Sequence, residues 1–274
     1  MAYKRILTIQ DISCVGQCSM TVAMPILSVC GHETCILPTA VLSTHTGGFG
    51  RPEVVSLENR MSDIWDHWKQ NGIDFDAILV GYLGSEAAID ACEEILDHLL
   101  AKDGVVIVDP AFGDHGRIYS GLSEKYAMAM KRLCDRADVI IPNITEAAFF
   151  SGTDYQEQLD EEYVLSLLEK LNHPCVILTG VGYQKDETGI LVWERGTASH
   201  YFHRKIDRNF HGTGDMFAAC FTGAWLQGKT KLEAVQIAAN FITHSLQNTI
   251  NDPVHWYGVK FETAFPELIR MIFA

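Results

Sequence analysis

The chain has 274 residues, of which 47% are hydrophobic, ample for one large α/β core. Its formal net charge of -14 leaves no fold-wide basic footprint for nucleic acid and a surface poorly matched to anionic lipid. The eight cysteines (Cys14, Cys18, Cys30, Cys35, Cys92, Cys134, Cys175 and Cys220) form no CxxC pair and lack a zinc-finger partner spacing, so they read as reduced packing residues.

The N-terminal MAYKRILTIQ runs directly into a strand, with no apolar leader and no cleavage site. No stretch approaches about 18 uncharged apolar residues. A membrane span is therefore not expected, and a cytoplasmic location is. Short β-branched apolar runs follow at 6–10, 77–81, 105–109, 139–142 and 175–179. Runs this continuous suit strands buried on both faces of a parallel sheet. Amphipathic stretches at 85–102, 123–136 and 161–171 alternate with them. Alternation of this kind predicts right-handed crossovers and an open, doubly wound α/β sheet. Two segments interrupt it. Residues 33–37 lead into a glycine-dense stretch, 46–50, which reads either as a flap over a ligand or as a plain flexible turn. Residues 190–193 and 199–202 flank Arg195-Gly196 and read as a β-hairpin. From Asp215 onward the chain reads as mainly helical. With no repeat, low-complexity tract or linker, residues 1–274 read as a single domain.

The buried runs end in chemically capable residues: Gln10-Asp11, Gly81-Tyr82, Asp109, Asn143 and Thr179-Gly180. In open α/β sheets, ligands bind outside the carboxyl ends of the strands, so these residues would line one edge. The plainer account is that loops begin there.

The strongest signal is His211-Gly212-Thr213-Gly214-Asp215, followed by the apolar helical run 216–226. Glycines let backbone amides converge on one spot. The helix start adds unsatisfied N–H groups and the positive end of its dipole, so the turn suits a phosphate. A carboxylate beside those amides is placed to accept the proton of an attacking hydroxyl. The alternative role for Asp215 is a helix cap. Asn143 and Glu146, three residues apart at a helix start, suit either the oxygen-rich surroundings of Mg2+ or an ordinary capping pair. Asp109-Pro110 is equally a strand-to-turn junction, and Tyr82 equally a packing residue.

GTGD before a small-residue helix resembles the signature of the ribokinase superfamily, and specifically its pyridoxal kinase branch, which includes the pyridoxamine kinases. Four further segments carry the resemblance in order: Ile9-Gln10-Asp11 with Gly16, Leu42-Ser43-Thr44-His45-Thr46-Gly47, Val108-Asp109-Pro110-Ala111-Phe112-Gly113-Asp114, and Ile141-Pro142-Asn143-Ile144-Thr145-Glu146. The resemblance implies a ribokinase-like, mostly parallel sheet flanked by helices, with a small β-hairpin or flap element. It implies an ATP-dependent kinase acting on the 5′-hydroxymethyl group of pyridoxal, pyridoxine or pyridoxamine. Asp215 matches the base, and Gly212, Thr213 and Gly214 match the anion hole. Asp109, Asn143 and Glu146 match positions around the phosphates and Mg2+, with Asp109 and Glu146 nearest the metal. Thr179, with Gly180 beside it, matches a phosphate contact, and Thr46 and Tyr82 line the pyridine pocket. His211 is assigned beside the phosphates from its place next to the anion hole. A monovalent cation such as K+ is an optional addition to ATP and Mg2+, and a homodimer is implied.

One position departs from the pattern. Many pyridoxal kinases carry serine where this chain has Asp11. A carboxylate there suits a cationic ring or a substrate amine, unless it faces solvent or begins a turn. His45 reads as a packed, hydrogen-bonding residue rather than a catalyst, and His255, Trp256 and Tyr257 as a packing cluster. Hydroxymethylpyrimidine kinase, alone or with dual specificity, is the nearest rival reading, and a non-catalytic nucleotide sensor is more remote. A sugar kinase lacks the segments around His45 and Tyr82. A dinucleotide oxidoreductase would need GxGxxG after the first strand, where this chain has Asp11-Ile12-Ser13-Cys14-Val15-Gly16.

Overall fold

A computed structural model describes residues 2–206 and 210–274. Among these, one nine-stranded sheet runs in the order β11-β10-β9-β8-β5-β4-β1-β2-β3. Its strands are β1 (Arg5–Ser13), β2 (Glu33–Leu42), β3 (Val54–Ser56), β4 (Phe75–Val80), β5 (Leu100–Val108), β8 (Val139–Ile140), β9 (Cys175–Val181), β10 (Glu187–Glu194) and β11 (Thr197–Arg204). A separate two-stranded ribbon pairs β6 (Gly113–Asp114) with β7 (Arg117–Ile118). The six central strands pair in parallel. The edges are antiparallel, β3 on one side and the β10–β11 hairpin on the other. Arg195 and Gly196, both at positive φ (50 and 84), turn that hairpin where the sequence places it.

Period-2 burial explains the layers. Leu7, Ile9, Ile78, Val80, Val106 and Val108 point into one core, while Ile6, Ala77, Leu79 and Ile107 point into the other. Helices α2 (Glu58–Gln70), α3 (Glu86–Leu99), α4 (Glu124–Cys134), α5 (Ile144–Ser151) and α6 (Glu161–Leu171) cover the first face. Helices α1 (Met20–Val29), α7 (Thr213–Leu226), α8 (Lys231–Thr249) and α9 (Phe265–Phe273), with a 3-10 turn at Phe261–Ala264, cover the second. Ser85, Ser123 and Asp160 start α3, α4 and α6 by accepting a backbone N–H three residues on. The strand order reverses at β1, between β4 and β2, so a crevice opens at the carboxyl ends of those strands.

Two sequence expectations change in detail. The first strand does not end at Gln10-Asp11; it continues to Ser13, and its register with β2 slips between Gln10 and Ile12. Asp11 therefore sits within the strand, opposite the extra residue that β2 carries between Pro38 and Val41, rather than at a strand end. The helix expected over 85–102 stops at Leu99, because Leu100 turns extended and opens β5 with no glycine or proline marking the junction. Helix α1, with Pro25 inside it and no charged residue, carries no amphipathic signal and went unread.

Candidate active site

The glycine turn is shaped by what it touches. Gly212 is the N-cap of α7 at φ 81 and ψ 0. A Cβ there would lie 1.9 Å from the Gln17 carbonyl oxygen, so both the conformation and the space demand glycine. The turn thus rests on the loop between β1 and α1. Two residues on, a Cβ at Gly214 would stand 3.9 Å from Oδ2 of Asp109. The helix start and the carboxylate that follows β5 are neighbours. Thr213 turns its hydroxyl back to the Phe210 carbonyl at 3.4 Å, leaving the first-turn amides of α7 for a ligand.

Asp215 does not cap its own helix; Gly212 holds that position, with no side-chain cap. Its Oδ2 instead accepts the Ser19 backbone N–H at 2.9 Å. Burial pushes its pKa up to about 6 and the charge of Asp11 adds to that, while the Ser19 N–H pulls the other way. At neutral pH the carboxylate is ionised yet basic enough to take a proton. Asp11 is 4% exposed, which rules out a solvent-facing role. The Ser13 hydroxyl donates to it at 3.2 Å. Burial raises its pKa as well, and its charge acts on Tyr82, whose phenol is held protonated chiefly by burial. Asp109, which donates its own N–H to the Val80 carbonyl, is pushed well above the carboxylate range by burial and by the charges of Glu146 and Asp215. Asp11, Asp109 and Asp215 thus gather at one sheet edge, and among the described residues no lysine or arginine figures among the charges acting on them.

Asn143 and Glu146 form a complete capping box on α5. Oε2 of Glu146 accepts the Asn143 N–H at 2.9 Å, and Oε1 accepts the N–H groups of Phe112 (2.9 Å) and Gly113 (3.4 Å). Asn143 Nδ2 donates to the Gly113 carbonyl at 2.7 Å. The pair therefore fixes the backbone after Asp109, and both Glu146 oxygens face amides. Thr179 bridges in parallel to Asn143 and donates its N–H to the Pro142 carbonyl. Gly180 follows at φ 76 in open space. This row continues the edge that Asp109 begins. Among the described residues no group of three His, Cys, Asp or Glu side chains is gathered for a cation. Mg2+ needs only one or two carboxylates plus phosphate and water, and the clustered, uncompensated Asp109 is chemically suited to it.

The glycine-dense segment is tied down. His45, 4% exposed, accepts the Gly47 N–H on Nδ1 (3.0 Å), so its Nε2–H donates to the Tyr257 carbonyl (2.7 Å). Phe49 packs on Trp256 with centroids 4.6 Å apart, and the His211 ring lies 4.9 Å from His45. His211 thus stands between the anion turn and this segment, and burial and His45 keep it below its ordinary pKa. Thr46 is exposed at the segment's surface. Sequence reasoning did not single out Gln17 or Ser19. Their contributions are main-chain groups, which leave no signature in residue type.

Three comparisons bear on this site. The family model for phosphomethylpyrimidine kinase matches residues 34–256. The pyridoxal kinase of Lactobacillus plantarum superposes with a TM-score of 0.90 at 31% identity, over 98% of this chain and 97% of that one. A Bacteroides thetaiotaomicron protein described as a phosphomethylpyrimidine kinase superposes at 0.93, also 31% identical, over 97% and 93%, and has a second crystal form with pyridoxal. Human pyridoxal kinase is 25% identical over 270 residues, 90% of this chain and 85% of its own length.

Proposed function

Because the chain belongs to the phosphomethylpyrimidine kinase family, in its ribokinase-like pyridoxal kinase branch, we propose that it transfers the γ-phosphoryl group of ATP to the 5′-hydroxymethyl group of a vitamin B6 vitamer. The observation that carries the reading is the juxtaposition of the Gly214 turn with Asp109, with Asp215 held on the adjoining loop. Asp215 Oδ2 is occupied by the Ser19 N–H, so Oδ1 takes the hydroxyl proton. As it does, the acceptor oxygen bonds to the γ-phosphorus and the bond to the β-bridging oxygen breaks, releasing ADP. Amides of residues 212–215 stabilise the charge on the transferring group. Thr179, Gly180 and Asn143 flank the phosphates, and His211 joins them from the acceptor side. Asp11, Tyr82 and Thr46 surround the acceptor ring, which segment 46–50 screens from water.

Asp109 is the residue that would hold a Mg2+, which would supply charge neutralisation on the phosphate oxygens. Glu146 serves that metal by fixing the backbones of Asn143, Phe112 and Gly113. A monovalent cation such as K+ as an optional addition, a homodimer, a cytoplasmic location and a single kinase domain over residues 1–274 complete the proposal.

A pyrimidine acceptor is the second reading, favoured by the name of the family model. ADP release with pyridoxal, pyridoxine, pyridoxamine, hydroxymethylpyrimidine and ribose separates the two. The proposal expects at least one B6 vitamer to exceed hydroxymethylpyrimidine in kcat/KM by tenfold or more. A preference for the pyrimidine, or turnover with ribose alone, would overturn it.

A further inference from the structure

Ser19 holds the carboxylate that faces the acceptor hydroxyl. Its backbone N–H donates to Asp215 Oδ2 at 2.9 Å. The residue is 6% exposed and sits at φ 52, ψ -126, a left-handed conformation that non-glycine residues seldom adopt. Such outliers persist where the surroundings over-determine them, and they gather at functional sites. The surroundings here are specific. Ser19 bridges back to Ile12, the residue after Asp11. The preceding Gln17 carbonyl underlies Gly212, and the Gln17 side chain is anchored by Glu262 (2.9 and 3.1 Å) and His255 (2.9 Å). The C-terminal segment therefore holds the loop, and the loop holds both the anion turn and the base.

We propose that Ser19 is the positioning residue of this site: its strained backbone aims an N–H at one oxygen of Asp215, leaving the other for the acceptor hydroxyl. The inference rests on the reading of Asp215 as base.

Two substitutions separate the Ser19 N–H from its side chain. Valine is stiff at Cβ and an outlier at this φ, so Ser19→Val withdraws the N–H. It is expected to lower kcat at least tenfold while ATP affinity stays within threefold. Glycine adopts the observed conformation without strain, so Ser19→Gly keeps the N–H on Asp215 and is expected to recover kcat at least tenfold over Ser19→Val. A wild-type kcat in folded Ser19→Val, or a Ser19→Gly kcat as low as that of Ser19→Val, overturns the proposal; if the valine variant does not fold, a kcat lowered tenfold or more in Ser19→Gly does so. These outcomes are read on acceptors that the wild-type enzyme phosphorylates, so absence of any vitamer turnover in wild type instead removes the B6 kinase reading itself.

Discussion

At Gly212 a single added carbon would meet the Gln17 carbonyl at 1.9 Å in a conformation, φ 81, that already disfavours it. Gly212→Ala is expected to cost about 1–3 kcal/mol in strain and, by lifting the turn off its loop, to reduce kcat more than tenfold. Urea unfolding and ADP release measure the two effects, and a variant with wild-type stability and rate would show that the turn has slack. The need for glycine was readable in the sequence, because only glycine serves where amides must converge at positive φ. The identity of the surface beneath it was not, since any residue supplies a carbonyl. Ser19 was hidden for the same reason. The end of β1 was set too early, at Gln10-Asp11, because an alternating pattern does not reveal that the strand continues past an extra residue in its partner β2.

The elements that hold the site are short. Helix α5 starts on the Asn143–Glu146 capping box, and Glu146, 1% exposed, also ties down the Phe112 and Gly113 amides across the gap from β5. Removing it strands several buried donors. Glu146→Ala is therefore expected to lose about 2–4 kcal/mol of stability, read by denaturant unfolding. A loss under about 0.5 kcal/mol would mean that water replaces the carboxylate without penalty. Of the two roles considered for this pair from sequence, the cap is the one observed, and it gives the loop after Asp109 its course. Sequence reading succeeded for α6 and the hairpin, where caps, period and turn residues agree. It failed at α1, which is apolar on most sides and interrupted by Pro25, and at β3, whose three exposed residues carry no burial pattern.

Across the whole molecule, among the described residues, the carboxyls pushed upward are Asp11, Asp109, Glu146 and Asp215, all where ligands are expected. Asp109 and Glu146 are shifted upward by burial, and Asp215 to about 6. A carboxyl whose pKa is higher folded than unfolded binds more protons in the fold between those two values, so its contribution to stability grows as pH falls. From pH 7 to 5 this cluster is expected to raise the Tm of the ligand-free protein, while kcat falls with an apparent pKa of about 6 as Asp215 protonates. Calorimetry and rate profiles in the same buffers check the opposed trends; parallel decline of both would locate the acid sensitivity elsewhere. The central claim, that Asp215 is the base beside the phosphate turn, is tested most directly by Asp215→Asn. With a B6 vitamer and saturating ATP, kcat is predicted to fall by at least about a hundredfold, while ATP binding by calorimetry stays within threefold of wild type. Turnover within tenfold of wild type would contradict it.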